Sequence, residues 1–256
     1  ARGEGRAPHR GLGGEQVEGR QAVRELLAAG RRKVRELWVA EGTDASVAIA
    51  EILRLAARAR VPVRMVSRAR LDGRAVTEAP QGVVARAAPL EEVDLDELVA
   101  PAKGQPPFLL AVDGVTDPHN LGALLRTAEC AGATGVVLPR HRAVHVTPAV
   151  AKAAAGAIEH LPIAVVPGLA TALTRLRRAG IWTVGLDAEG DQRLFDLELA
   201  TEPVVLVLGA EGSGLSRLVR QRCDVMASIP QRGAVPSLNV AAAGAVACYE
   251  VARRRA

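Results

Sequence analysis

Between residues 108 and 230 the chain carries six short, almost unbroken apolar runs: FLLAVDGV (108–115), GVVLP (135–139), LPIAVV (161–166), IWTVGL (181–186), PVVLVLG (203–209) and DVMASIP (224–230). Runs of that length without polar alternation are how parallel strands covered on both faces are written, and the stretches between them carry the spacing of amphipathic helices. Helices are predicted near 120–132, 147–157, 168–179, 214–222 and 239–254. The pattern predicts an α/β fold: an open, doubly wound parallel sheet with helices on both faces, whose ligand sits at the carboxyl ends of the strands.

The front of the chain repeats the alternation on a smaller scale. Val17, Val23, Leu26 and Leu27 fall at helical spacing up to Gly30, VRELWV (34–39) reads as a strand, and a helix over 46–59 starts at Asp44 or Ser46 and turns Ile49, Ile52, Leu53 and Leu55 to a core. Strands follow at VPVRMV (61–66) and GVVARA (82–87), giving a small α/β domain over residues 15–88. Residues 1–14, rich in glycine and arginine, read as a disordered basic tail, and 89–105, with Pro89, Pro101 and the acidic EEVDLDEL, as a linker with one short helix. The larger domain spans 106–256.

Charge follows this division, with a net +7 over residues 1–88, −4 over 89–105 and +2 over 106–256. Only Lys33, Lys103 and Lys152 are lysines, so nearly every cation is a guanidinium able to fork onto phosphate and stack on bases. That balance points to a polyanionic partner. Cys130, Cys223 and Cys248 are odd in number and form no CxxC pair, which fits buried thiols in a reducing compartment. The N-terminal residues lack an apolar signal-peptide core and no stretch is apolar enough to span a bilayer, so the reading is a cytoplasmic protein without a membrane partner.

Three loops at predicted strand ends are unusually polar and glycine-rich. In DGVTDPHNLGALLRTAECAG (113–132), Asn120 is placed as a cap at the start of a helix that carries Arg126 about two turns on. LGAEGSGLS (208–216) lets the backbone approach a ligand closely, yet GAEGSG is not GxGxxG and follows a late strand, which argues against a dinucleotide site. No GK[ST] occurs, so a P-loop is excluded. In IPQRGAVPSLNVAAAGA (229–245), Pro230, Gly233 and Pro236 fix the course of the chain into a helix of small residues, which Ser237 or Asn239 could cap. His119 has no histidine or cysteine neighbour at metal spacing, and no metal site is expected.

In this order and spacing the three loops resemble the signature motifs of the SpoU (TrmH) family of RNA ribose 2′-O-methyltransferases, across 106–256. The front segment, with GRQAVRELL (19–27) and APQGVVA (79–85), resembles the L30e-like substrate-binding domain of family members that methylate a guanosine of 23S rRNA. The third loop departs from the family pattern at Gln231, Arg232, Pro236 and the AAAGA run.

The resemblance implies a SPOUT-type α/β fold with a deep trefoil knot built by the second and third motifs. It implies S-adenosylmethionine as cofactor, gripped mainly by backbone around Gly185, Leu186, Leu208, Gly209, Ala210, Gly214, Ile229, Pro230, Ser237, Leu238 and Asn239. It implies a homodimer paired through the C-terminal helix, and RNA, foremost 23S rRNA, as partner. The catalytic set would be Asn120, Arg126, Glu211, Ser237 and Asn239. An arginine loses its proton only above about pH 12, so Arg126 is read as the group that fixes the target phosphate and stabilises a developing oxyanion, not as a general base. The other four would hold the ribose, orient Arg126 and shape the pocket. A tRNA substrate, a resistance-conferring 23S rRNA methylation, or a non-catalytic RNA-binding assembly factor are the alternatives.

Overall fold

The computed structural model describes residues 12–43, 46–100, 104–140, 146–235 and 237–256. The front half runs β1 (Gln16–Glu18), α1 (Arg20–Ala29), β2 (Val34–Ala40), α2 (Val47–Arg58), β3 (Val63–Val66), α3 (Arg68–Asp72) and β4 (Val83–Ala87). Its sheet has the order β1-β4-β2-β3, with only β2 and β3 parallel. Ala22, Val23, Leu26 and Leu27 make the buried stripe of α1, and Ile49, Ile52 and Ala56 that of α2. These two stripes cover one sheet face and close a core with Leu37, Val39, Val83 and Ala85.

Two front-half expectations, on Val17 and on residues 12–14, need correction. Val17 belongs to strand β1 and not to the helix, because Gly19 at φ 94° breaks the chain direction between them. The α2 cap position is Ser46, with no side-chain cap bond, while Asp44 lies outside the described residues. Residues 12–14, expected to be disordered, are held in place: Leu12 is buried, its N–H donates to the Leu90 carbonyl at 2.9 Å, and Gly13 bridges Val146. Residues 1–11 of that tail lie outside the described residues.

The rear half runs β5 (Phe108–Asp113), α4 (Pro118–Cys130), β6 (Gly135–Pro139), α5 (Pro148–Ala153), β7 (Ile163–Val166), α6 (Leu169–Arg178), β8 (Trp182–Leu186), β9 (Gln192–Arg193), β10 (Val204–Gly209), α7 (Arg217–Arg220), β11 (Val225–Ser228) and α8 (Val240–Arg255). The sheet is parallel throughout, in the order β7-β6-β5-β10-β8-β11-β9. One face packs on α4, α5 and α8 through Leu121, Leu124, Leu125, Val150, Ala247 and Val251. The other packs on α6 and α7 through Leu169, Leu173, Leu176 and Val219. This is the expected two-sided parallel sheet. Chain direction across the sheet reverses between β5 and β10, so the loops leaving their carboxyl ends diverge and leave room above the sheet.

The predicted helix over 214–222 shrinks to α7 because Ala210 and Gly214 exchange backbone hydrogen bonds of 3.1 and 2.9 Å that fold 210–214 into a turn. The predicted helix over 147–157 likewise ends at Ala153, followed by a 3₁₀ turn at Ala157–Glu159. Residues 95–99 form a 3₁₀ turn whose Leu95 and Leu98 are buried against the rear sheet while Asp96 and Glu97 stay exposed, so this stretch is anchored through its two leucines.

Front and rear halves are joined by more than the chain. Arg32 and Glu159, both almost fully buried, form a two-pronged ion pair with Nε–Oε2 at 2.9 Å and Nη2–Oε1 at 2.5 Å, and Arg32 Nη1 donates to the carbonyls of Gly14 and Ala88 at 2.8 Å. Gly156 brings the turn before the 157–159 segment so near α1 that an added Cβ would stand 2.4 Å from the Glu25 Cβ.

Candidate active site

The three polar loops converge. The first leaves β5, where the Asp113 carboxylate accepts from the Ser216 N–H at 2.7 Å and so ties the first loop to the second. Asp117 is the cap of α4, accepting from the His119 N–H at 2.9 Å, and Pro118 in the first turn presets the helical φ. Asn120, expected as the cap, instead sits inside the first turn, which frees its side chain for longer reach. Its amide donates to Glu211 Oε2 at 3.3 Å, and its carbonyl oxygen accepts from the Asn239 amide at 3.1 Å. Asn239 meanwhile caps α8, its Oδ1 accepting from the N–H groups of Ala241 and Ala242. One residue from each motif thus enters a single hydrogen-bonded line, Glu211–Asn120–Asn239.

A cavity of about 580 Å³ opens beside this line, a volume suited to a cofactor the size of a nucleoside derivative. Leu186, Leu208, Gly209, Ala210, Gly214, Ile229, Ser237, Leu238 and Asn239 line it, as does Glu211. Gly209 must be glycine: an added Cβ would stand 2.1 Å from the Gly214 carbonyl carbon and 2.4 Å from the Leu215 nitrogen. The walls at that end are therefore main chain. Gly185 and Pro230 do not line the cavity; a Cβ on Gly185 would point to Met226 and Cys223, on the other side of β8. Pro236 lies outside the described residues.

Arg126 is exposed on α4, outside the cavity lining, and makes no hydrogen bond or ion pair among the described residues. Its guanidinium is therefore available to an anionic partner. Asp187 and Glu189 line the cavity too, with Asp187 paired to Arg220 and accepting from the Glu189 N–H at 2.9 Å. Sequence reasoning missed both carboxylates, which fall outside the three motifs and whose only signal is position just after β8, and it passed over Val235 inside the third motif because an apolar side chain there carries no chemical signal. Burial, with Asp224 and Asp113 near, pushes the Cys223 thiol up to about 12, and burial alone does the same to Cys248. Both thiols stay protonated at neutral pH, which leaves them inert as nucleophiles. No group of metal-ligating side chains occurs among the described residues, and no described helix is long and apolar enough to cross a membrane. A second cavity, of about 680 Å³ between the ends of α1 and α2, holds none of the motif residues.

The sequence profile described as the SpoU rRNA Methylase family matches residues 107–249. The chain belongs to this family. The profile described as RNA 2′-O ribose methyltransferase substrate binding matches residues 16–93 of this SpoU protein. The chain is 44% identical over 245 residues to the 23S rRNA (guanosine-2′-O-)-methyltransferase RlmB of Pseudomonas aeruginosa, covering 94% of this chain and 97% of the relative. It is 41% identical over 244 residues to the enzyme of the same name from Pseudomonas putida, covering 94% and 97%. Its fold is similar to that of the SpoU methyltransferase AviRb from Streptomyces viridochromogenes in complex with AdoMet, with a TM-score of 0.78 at 30% identity over 94% of this chain and 89% of the other.

Proposed function

We propose that this SpoU protein transfers a methyl group from S-adenosylmethionine to a ribose 2′-hydroxyl of RNA, the target being a guanosine of 23S rRNA. The observation that carries the reading is the Glu211–Asn120–Asn239 line, which joins all three motifs at the rim of a cavity walled by backbone. The glycine cradle at Gly209 and the cavity volume fit the cofactor, and Leu186, Leu208, Gly209, Ala210, Gly214, Ile229 and Leu238 would hold it. When bound, S-adenosylmethionine supplies an electrophilic methyl carbon on a sulfonium.

The chain's own groups must then hold the 2′-oxygen in line for attack and let its proton leave. Arg126, exposed and unpartnered among the described residues, would fix the phosphate beside the target sugar and stabilise charge growing on the 2′-oxygen. Asn120, held between Glu211 and Asn239, would keep the ribose-binding edge in register with the cofactor loops, and Ser237 offers a hydroxyl at the cavity wall. The Arg-rich front half would supply phosphate contacts that give affinity, with the fold of the RNA giving selection. Pairing into a homodimer would use the outer side of α8, where Tyr249 stays 53% exposed. Such an enzyme would work in the cytoplasm, where ribosomal RNA matures.

The test is incubation with a 23S rRNA transcript and methyl-labelled S-adenosylmethionine, followed by nucleoside analysis and mapping by cleavage sensitive to 2′-O-methylation. Label on a guanosine ribose is the expected result. Label on a base, or none with intact cofactor binding, overturns the reading.

A further inference from the structure

On the front sheet, the face away from α1 and α2 carries Trp38 beneath three guanidiniums. The Cζ of Arg74 stands 3.7 Å from the ring centroid, that of Arg70 at 5.5 Å and that of Arg64 at 5.7 Å. The three arginines are exposed, whereas Trp38 is 3% exposed, so the guanidiniums and α3 are what separate the indole from water. Pairing in the sheet sets Arg64 on β3 and Val84 on β4 on either side of Trp38. Arg64 reaches Glu36 at 3.4 Å, but Arg70 and Arg74 have no carboxylate partner among the described residues. The indole Nε1 is buried without a hydrogen-bond partner, a condition folded chains generally avoid.

Three like charges over one ring repel one another, and anchoring α3 does not call for them, since Leu71 is already fully buried beneath that helix. A flat ring, several phosphate-matching forks and an unused donor suit a flat anionic guest, the description of a nucleotide. We propose that Trp38, Arg64, Arg70 and Arg74 form a stacking site for a single-stranded segment of the substrate RNA. A base takes the ring face that Arg74 covers in the free protein, and the displaced guanidinium joins Arg70 on the flanking phosphates. This rests on the reading of the protein as an RNA methyltransferase, and gives the front half a nucleotide site separate from the methyl-transfer cavity.

The chain has two tryptophans, and the other, Trp182, is half-exposed at the start of β8. Trp182→Phe therefore leaves Trp38 as the sole indole. Titrating that variant with a 23S rRNA transcript should quench Trp38 emission and change its access to acrylamide. RNA that binds and is methylated while Trp38 stays silent overturns the site and leaves the enzyme reading standing. A parent protein that neither binds nor methylates the transcript removes both. In the second arm, R70Q/R74Q should raise KM for RNA with kcat and S-adenosylhomocysteine affinity unchanged, and flatten the slope of log affinity against log salt by about 1–2. Trp38→Ala should weaken RNA binding by at least about fivefold, with Trp38→Phe restoring most of it. If these variants lower the melting temperature while KM and salt slope hold, the arginines only brace the fold and the proposal is wrong.

Discussion

Asn239 donates its side-chain amide to Asn120 across 3.1 Å while its own oxygen closes the first turn of α8. The cap of the last helix and the first loop of the rear half are thereby one structure, and a disturbance of either is felt by both. Asn120→Ala should lower methyl transfer by about 10²-fold through misplacement of the reacting groups, with stability changed by no more than about 1 kcal/mol at this part-exposed position. Asn120→Asp should do worse, because its carboxylate would face Glu211. Single-turnover kinetics beside urea denaturation separates the two effects.

Arg126→Ala should reduce kcat by roughly 10²–10³-fold, the scale of losing one oxyanion donor, and leave S-adenosylhomocysteine binding by calorimetry unchanged. Loss of cofactor binding with no separate effect on the chemical step would count against the assigned role.

Gly209→Ala inserts a methyl against backbone at 2.1–2.4 Å, where no side chain can swing aside. The turn over 210–214 must move, at about 1–3 kcal/mol of stability, and the cofactor cavity with it. Calorimetry should show weakened S-adenosylhomocysteine binding and differential scanning a lower melting temperature.

These sites show where sequence reading succeeds and where it stops. Strand β6 spans Gly135–Pro139 as its apolar run predicts, because a strand covered on both faces writes its bounds directly into composition. Strand β1 is three residues long and α3 five, too short to show any period, so Val17 is drawn into the neighbouring helical pattern. Asn120 reads as a cap because its chemistry allows it, yet Asp117 holds that position, with Pro118 opening the helix, and only the fold reveals that Asn120 reaches two other motifs. Asp187 and Glu189 enter the cavity from a loop with no motif of its own, a contribution visible only once β8 and β11 lie side by side.

Arg32→Ala should cost about 3–5 kcal/mol, since it strands the Glu159 carboxylate in a buried site. The double variant R32M/E159L should recover only part of that, as an apolar pair needs no desolvation of charge but leaves the Gly14 and Ala88 carbonyls without their Arg32 donor. Urea midpoints for the two proteins decide it.

Glu18 is fully buried, and burial pushes its carboxyl up, but the Thr77 hydroxyl, the Val76 N–H, the Gln16 amide and the Thr77 N–H together hold it below the usual range. A depressed carboxyl stabilises the fold above its unfolded value, about 4.3, and that support disappears as pH falls through the lower folded value. Glu18→Gln should therefore be less stable than the parent at pH 7. The gap should narrow below about pH 4, which a series of urea titrations across pH will show.

The buried Arg32–Glu159 clasp has a consequence for how substrates are sorted. Two bodies locked at a set separation act as a gauge: an RNA touching both must present its anchoring segment and its reactive sugar the same distance apart. Discrimination can then arise from the span of the folded nucleic acid, with no base letter being read at either end.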